Sequence, residues 1–366
     1  MASDVRVWPH RRSLTPRARG YANGIAAIFI ISPDALLLRL CSAEDPIFTT
    51  LCRTAWLAPL CLVTAAVQVG GLCKLCVHSW KHREPLLIVS ATACGTSLGF
   101  AFSLQLTGAA EALLLISLNP LWAALIGWRC LGDELPRRTR WALAAAMVSI
   151  ALVFLPHFLS EMSVPASSVL ASHPASHPVG GDQNHSLPLE ASSAIRDHPY
   201  RLAGNLIALF TGMSLGAFGN SVRYAKTRFD DVPVQVAQVF SNSFAVLISL
   251  LLMAALGRPF RAVDPPRLIG LTLAMGLIIN TAYLGMNRAP QYISAAEFGI
   301  ICLLESILGP IWVFLVIGEA PTLWTLVGGG LILATLTIHE LAAQYAAKTA
   351  ASVAVAGDAT CTRSNL

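Results

Sequence analysis

Ala109-Ala-Glu-Ala-Leu-Leu-Leu-Ile-Ser-Leu-Asn-Pro120 begins an apolar run that closes at Gly132-Asp-Glu-Leu-Pro136. The same outline returns as Ala295-Ala-Glu297, an apolar stretch interrupted at Gly309-Pro310, and a closing Gly318-Glu-Ala-Pro321. A Gly- and Ala-rich apolar segment follows each copy. Each run has about the twenty mainly apolar residues that an α-helix needs to cross hydrocarbon. A motif repeated at this scale marks a chain built by duplication, as many transport folds are.

The same ruler, applied outward from these two runs, yields Tyr21–Leu40, Ile47–Val69, Leu86–Leu106, Ala109–Leu131 and Trp141–Leu159 before a long polar loop. After the loop come Leu202–Tyr224, Pro233–Leu256, Leu268–Met286, Ser294–Ile317 and Thr322–Leu341. Composition agrees. Of 366 residues 55% are hydrophobic and 12% charged, about half the charged share of a soluble domain. The expected fold is an all-α integral membrane protein of ten transmembrane helices, arranged as two inverted five-helix repeats.

Inversion follows from counting and from charge. Five spans per half is odd, so the second half must enter the membrane upside down relative to the first. The loop after the fourth span carries Arg137, Arg138 and Arg140, whereas the matching loop after the ninth carries no Lys or Arg. Basic loops stay cytoplasmic, so the two copies carry the charges of opposite sides. With both termini inside, Lys74, Lys81, Arg83, Lys226, Arg228 and Arg288 fall inside as well, while Arg258, Arg261 and Arg267 run against the rule. The net charge of +5 lies between apolar runs and orients the chain; it calls for no nucleic-acid partner.

The first twenty residues hold five arginines and one acid and read as a basic tail. Residues 160–201, rich in Ser, Pro and His with the echo Ala171-Ser-His-Pro and Ala175-Ser-His-Pro, read as a disordered outward-facing connector. The chain's one glycosylation sequon, Asn184-His-Ser186, lies in it. Its histidines, His173, His177, His185 and His198, have no fixed ligand spacing, and Cys73 and Cys76 form a lone CxxC. Neither pattern calls for a metal, and the scattered apolar-segment cysteines read as core thiols.

A charged group at mid-bilayer costs about 3 kcal/mol on insertion scales, so each needs a partner, water or a task. Glu111 and Glu297 stand in first helical turns, where the helix dipole favours an acid. Arg39 and Arg53 lie near outer span ends, within reach of Asp34, Glu44 or Glu111. Glu305 is placed near the middle of its span, and its repeat counterpart is Asn119, each a few residues from a helix-breaking proline. The candidate substrate site is therefore Glu305, Asn119 and Asp34, with Arg53 beside them and Gln238, Asn280 and Tyr283 as further polar residues within spans. A buried Glu serving packing alone is the competing reading. Gly95-x-x-x-Gly99 and Gly212-x-x-x-Gly216 read as small-residue helix contacts.

The segments Ser32-Pro-Asp-Ala-Leu-Leu-Leu-Arg39, Asp45-Pro-Ile-Phe-Thr-Thr-Leu-Cys-Arg53, Leu118-Asn-Pro-Leu-Trp122 and Gly132-Asp-Glu134 resemble the EamA-like branch of the drug/metabolite transporter superfamily. The resemblance implies EamA-like five-helix repeats at 21–159 and 202–342, followed by a tail at 343–366. It further implies a secondary transporter, not an enzyme, working by alternating access on a small metabolite: an amino acid, an amine or a nucleobase-like compound. The expected setting is the lipid bilayer of the plasma membrane or an organelle, as monomer or homodimer, with no cofactor and with proton coupling through Glu305. Two other readings stay open. An organic-phosphate or nucleotide-sugar exchanger would want late cationic residues, and Ser294 to Ile338 has none; a non-transporting receptor or scaffold needs no central site. The enzyme motif HExxH is missing from the sequence.

Overall fold

The computed structural model describes residues 15–132, 137–162, 200–228, 234–289, 292–293 and 295–364. All regular structure among them is helical. The first crossing is made by α1 (Pro16–Ile31) and α2 (Asp34–Leu40), separated at Ser32-Pro33. Thr15 caps α1 through its hydroxyl, with Pro16 in the first turn, where a missing N–H costs nothing. α3 (Pro46–Val69) is capped by Asp45, whose carboxylate accepts from Ile47 N and Phe48 N at 2.9 and 3.1 Å; it ends at Gly70 in the left-handed conformation, φ 87°. A short helix, α4 (Leu72–Lys81), follows where the sequence reading had only a cytoplasmic link.

The remaining helices are α5 (Arg83–Leu106), α6 (Ala109–Ile116), α7 (Asn119–Ile126), α8 (Arg137–Met162) and α9 (Arg201–Arg228), then α10 (Val234–Ala255), α11 (Pro265–Arg288), α12 (Ala295–Ile317) and α13 (Leu323–Ser364). α7 runs on through one wide turn, Gly127–Leu131. Seven crossings are long and apolar enough to span a membrane, and they coincide with the expected first to fourth and sixth to eighth spans. The fifth, ninth and tenth expected spans fall in α8, α12 and α13, which include the apolar stretches Thr139–Leu152, Ile301–Ile317 and Leu323–His339. Most of the connector at 160–201, with Asn184 and its four histidines, lies outside the described residues.

Polarity is distributed as lipid demands. Phe29, Val63, Val67, Leu251, Phe314 and Leu315 face outward and are exposed, while Asp34, Arg53, Glu111, Asn205, Gln238 and Asn242 are buried. With little hydrophobic drive between helices in lipid, close backbone approach carries the packing. α5 lies on α9 at the Gly95 and Gly99 positions, where an added Cβ would come within 2.5 Å of the Ser214 hydroxyl and 2.2 Å of the Thr211 hydroxyl. α9 also meets α6 and α7 through Gly212 and Gly216, and the end of α5 through Gly204. α3 packs on α10 and α11, α1 on α11 and α12, and α8 on α13.

Gly216 has the least room: a Cβ there would stand 2.7 Å from Ala123 N and 2.9 Å from Asn119 O, both backbone atoms that cannot rotate away. Gly216→Leu is expected to cost about 1–3 kcal/mol by overpacking and to lower the Tm in detergent. Gly219→Leu on the same helix, where nothing lies within 4 Å, should leave the Tm nearly unchanged; equal losses would refute this account of the contact.

Candidate functional site

Two prolines shape the middle of the bundle. Pro33 has no N–H to give the Phe29 carbonyl, four residues back, and the Ser32 hydroxyl donates to it instead at 3.1 Å. Pro120 likewise leaves the Ile116 carbonyl open, and the Asn119 amide donates to that oxygen at 3.3 Å. In both places the residue just before the proline answers the orphaned acceptor. The chain therefore bends between α1 and α2 and between α6 and α7 without exposing bare backbone to hydrocarbon. Pro310, in contrast, is carried inside a continuous α12.

The first bend puts Asp34 at the start of α2, 1% exposed, with its Oδ2 accepting from Arg53 Nη2 of α3 at 2.7 Å. The Arg53 guanidinium also lies over the Phe100 ring of α5, 5.7 Å from its centroid. Tyr283 of α11 is within electrostatic range of Asp34, Arg53 and Glu305, and Glu305 of α12 is within that range of Asp34. α12 is held to this place by two bonds: Trp312 Nε1 donates to the Ser32 hydroxyl at 3.0 Å, and the Ser306 hydroxyl to the Leu113 carbonyl of α6 at 3.3 Å. Four of the seven candidate residues thus converge.

Their hydrogen bonding is incomplete. Arg53 Nε and Nη1 and Asp34 Oδ1 are buried without a partner, although buried polar groups are almost always satisfied. Half-buried Glu305 makes no side-chain hydrogen bond among the described residues. The Arg53–Asp34 pair therefore keeps donors and an acceptor to spare, and Glu305 lies within electrostatic range of its carboxylate.

The other three candidates make different contacts. Asn119 is occupied by the Ile116 carbonyl. Asn280 belongs to a neutral chain joining α3, α10 and α11, in which the Thr64 hydroxyl lies 3.1 Å from Asn280 Oδ1, Gln235 Nε2 donates to that hydroxyl at 3.2 Å, and Asn287 Nδ2 donates to Gln235 Oε1 at 2.8 Å. Gln238 is buried one turn along α10 from Gln235.

Sequence reasoning missed a second polar cluster, at the end of the bundle that loop charges place outside. Arg39, expected to meet Asp34, Glu44 or Glu111, pairs instead with Glu319 at 3.0 Å and donates to the Thr107 carbonyl. Glu111 is held by Arg201 from Nε at 3.1 Å and from Nη2, and it accepts from the Thr325 hydroxyl at 3.0 Å. Glu44, at the same end, accepts from the backbone of Val263 and Asp264 at 2.8 and 2.9 Å. Glu319 stood in the quoted Gly318-Glu-Ala-Pro motif, so repetition was the available signal; nothing in the sequence singled out Arg201.

A family model described as the EamA-like transporter family matches residues 202–339. Comparison with curated proteins gives no match, whereas twelve chains of solved structures match. One of them, described as "Crystal structure of protein", is 16% identical over 90% of this chain and 99% of its own, with a TM-score of 0.51. At that identity the likeness concerns the fold.

Taking one partner from a buried ion pair leaves an uncompensated charge and costs about 3–5 kcal/mol. Arg53→Gln should therefore lower the Tm in detergent, and Asp34→Asn added to it should recover at least half of the loss. A double variant no more stable than Arg53→Gln would mean that the two side chains do not act as a pair.

Proposed function

We propose that this multi-pass membrane protein, whose residues 202–339 belong to the EamA-like transporter family, is a secondary transporter that moves a small metabolite by alternating access. The observation that carries the reading is the convergence of Asp34, Arg53, Tyr283 and Glu305 in mid-bundle with hydrogen-bonding capacity unused. Buried ionisable groups in a membrane are expensive and are kept where a solute or ion passes. A scaffold would gain nothing from a surplus carboxylate.

Supporting alternation is the way the halves share contacts. If each of the first five crossings is exchanged with the one five places later, α5 on α9 becomes α11 on α1, and α5 on α10 becomes α11 on α3; both members of each exchange are packed pairs. α6 and α7 on α9 becomes α12 on α1 and α2, again packed. α3 on α10 and α8 on α13 map onto themselves. Such an arrangement suits two inverted repeats rocking about a central site.

Chemistry narrows the solute. The spare N–H groups of Arg53 match a carboxylate, which a guanidinium binds in paired hydrogen bonds. Asp34 Oδ1 and Glu305 match an ammonium. Among amino acids, amines and nucleobase-like compounds, a zwitterionic amino acid uses all of them, with Phe100, Tyr283 and Trp312 nearby for its side chain. Glu305 then takes the role of proton carrier, since its charge is the one that Arg53 does not already balance.

The test is a mass-spectrometric screen of metabolite uptake by reconstituted protein, followed by Glu305→Gln with the solute found. Uptake by the unaltered chain should depend on a pH gradient, and Glu305→Gln should abolish that dependence. Transport by Glu305→Gln that stayed fully pH-dependent would overturn the assignment.

A further inference from the structure

The cluster at the outer end joins the two halves and little else. Arg39 of α2 reaches Glu319 in the link between α12 and α13, and Glu319 Oε1 also accepts from Ala109 N at 2.9 Å. Glu111 of α6 meets Arg201, the first residue of α9, and Thr325 of α13. The Thr107 hydroxyl stands between Glu111 Oε2 at 3.1 Å and Asn205 Oδ1 at 2.6 Å, again one residue from each half. The four charged side chains are 2–14% exposed.

Among the described residues these pairs set two guanidinium groups against two carboxylates. The cluster is also incompletely packed. A cavity of about 30 Å³, bordered by Glu111, Arg201, Glu319, Pro310, Val313 and Thr325, lies within it, enough for one or two waters. Glu319 Oε2 and Arg39 Nε have no partner. Pro310 and Val313 are five and eight residues beyond Glu305 on α12, so at 1.5 Å rise per residue the cavity stands about 10 Å above the central carboxylate. Between Glu305 and outer water, this cluster is the lid.

We propose that the Arg39–Glu319 and Glu111–Arg201 pairs are the outer gate of the transport path, shut in this structure, and that they must separate for Glu305 to meet the outside. The proposal rests on the transport reading above and adds which atoms hold that side closed. Ion pairs suit the task. Dry, they are strong; once water enters, each charge is hydrated and the attraction falls severalfold with the rise in dielectric, so the gate opens without stranding a charge. At the opposite end the bonds between described residues of the two halves are neutral, as in Thr139 with His339 at 3.0 Å and Asn220 with the Ala123 carbonyl at 2.8 Å.

Cysteine labelling tests this on the full chain in lipid nanodiscs. Val313→Cys supplies a reporter beneath the cluster, since Val313 is 1% exposed, and buried Cys61 and Cys94 report on the integrity of the fold. A membrane-impermeant maleimide is added, and each cysteine is quantified by peptide mass spectrometry. Adding Glu319→Gln or Glu111→Arg should raise labelling at position 313 about tenfold or more, with Cys61 and Cys94 still protected. Exchanging the charges, Glu111→Arg with Arg201→Glu, should return it to the slow rate. Position 313 staying protected in every variant would overturn the gate, and so would labelling that rises only together with Cys61 and Cys94 and is not reversed by the exchange. Failure of the transport reading looks different: the reporter responds as expected, yet the unaltered chain moves no metabolite in the uptake screen.

Discussion

Hydrocarbon offers no donor to a bare carbonyl, and this constraint organises the centre of the molecule. Helices satisfy it automatically except where a proline enters. At Pro33 and Pro120 the chain solves the exception in the same way, by placing a hydrogen-bonding side chain immediately before the proline and folding it back onto the abandoned carbonyl, Ser32 onto Phe29 and Asn119 onto Ile116. Each bend is thereby made affordable in lipid. The first of them turns α2 so that Asp34 meets Arg53, and the second sets α7 against the glycines of α9.

Charge follows the same logic with a different outcome at each level. At the outer end two guanidinium groups answer two carboxylates, each bonded to a second element of the fold. In mid-bundle the Arg53 guanidinium is bonded to Asp34 alone, with two of its nitrogens idle. If packing alone governed, the central level would be the one most thoroughly neutralised, because water is farthest away there and an unmatched charge costs the most. It is instead the level left open.

The sequence disclosed the membrane crossings well, because hydrophobic length is a local property that needs no knowledge of neighbours. α3 and α5, for example, begin and end within a few residues of the expected boundaries. Glu305 drew notice for a similar reason: an acid in the middle of an apolar run is conspicuous by itself. Partners were harder. Asn119 was paired with Glu305 on repeat position, but its amide is drawn to the nearest carbonyl without a donor, which lies on its own chain three residues back. Arg39 lies next to several acids in sequence and chooses Glu319, far away along the chain. Arg201 follows a polar loop and looked like part of it. α4 was overlooked since ten residues with two lysines and a histidine are too short and too polar for a span.

The two ends also differ in what it takes to separate them. Amide and hydroxyl bonds such as those of Thr64, Gln235 and Asn287 exchange for water at little net change, because each lost bond is replaced by one of similar strength. A buried ion pair has no such equivalence. Its attraction depends on the surrounding dielectric, so the first water admitted weakens the bonds that kept water out. The Arg39–Glu319 and Glu111–Arg201 pairs, 2–14% exposed, are of that kind. An end joined by ion pairs and an end joined by neutral bonds therefore respond differently to the entry of water.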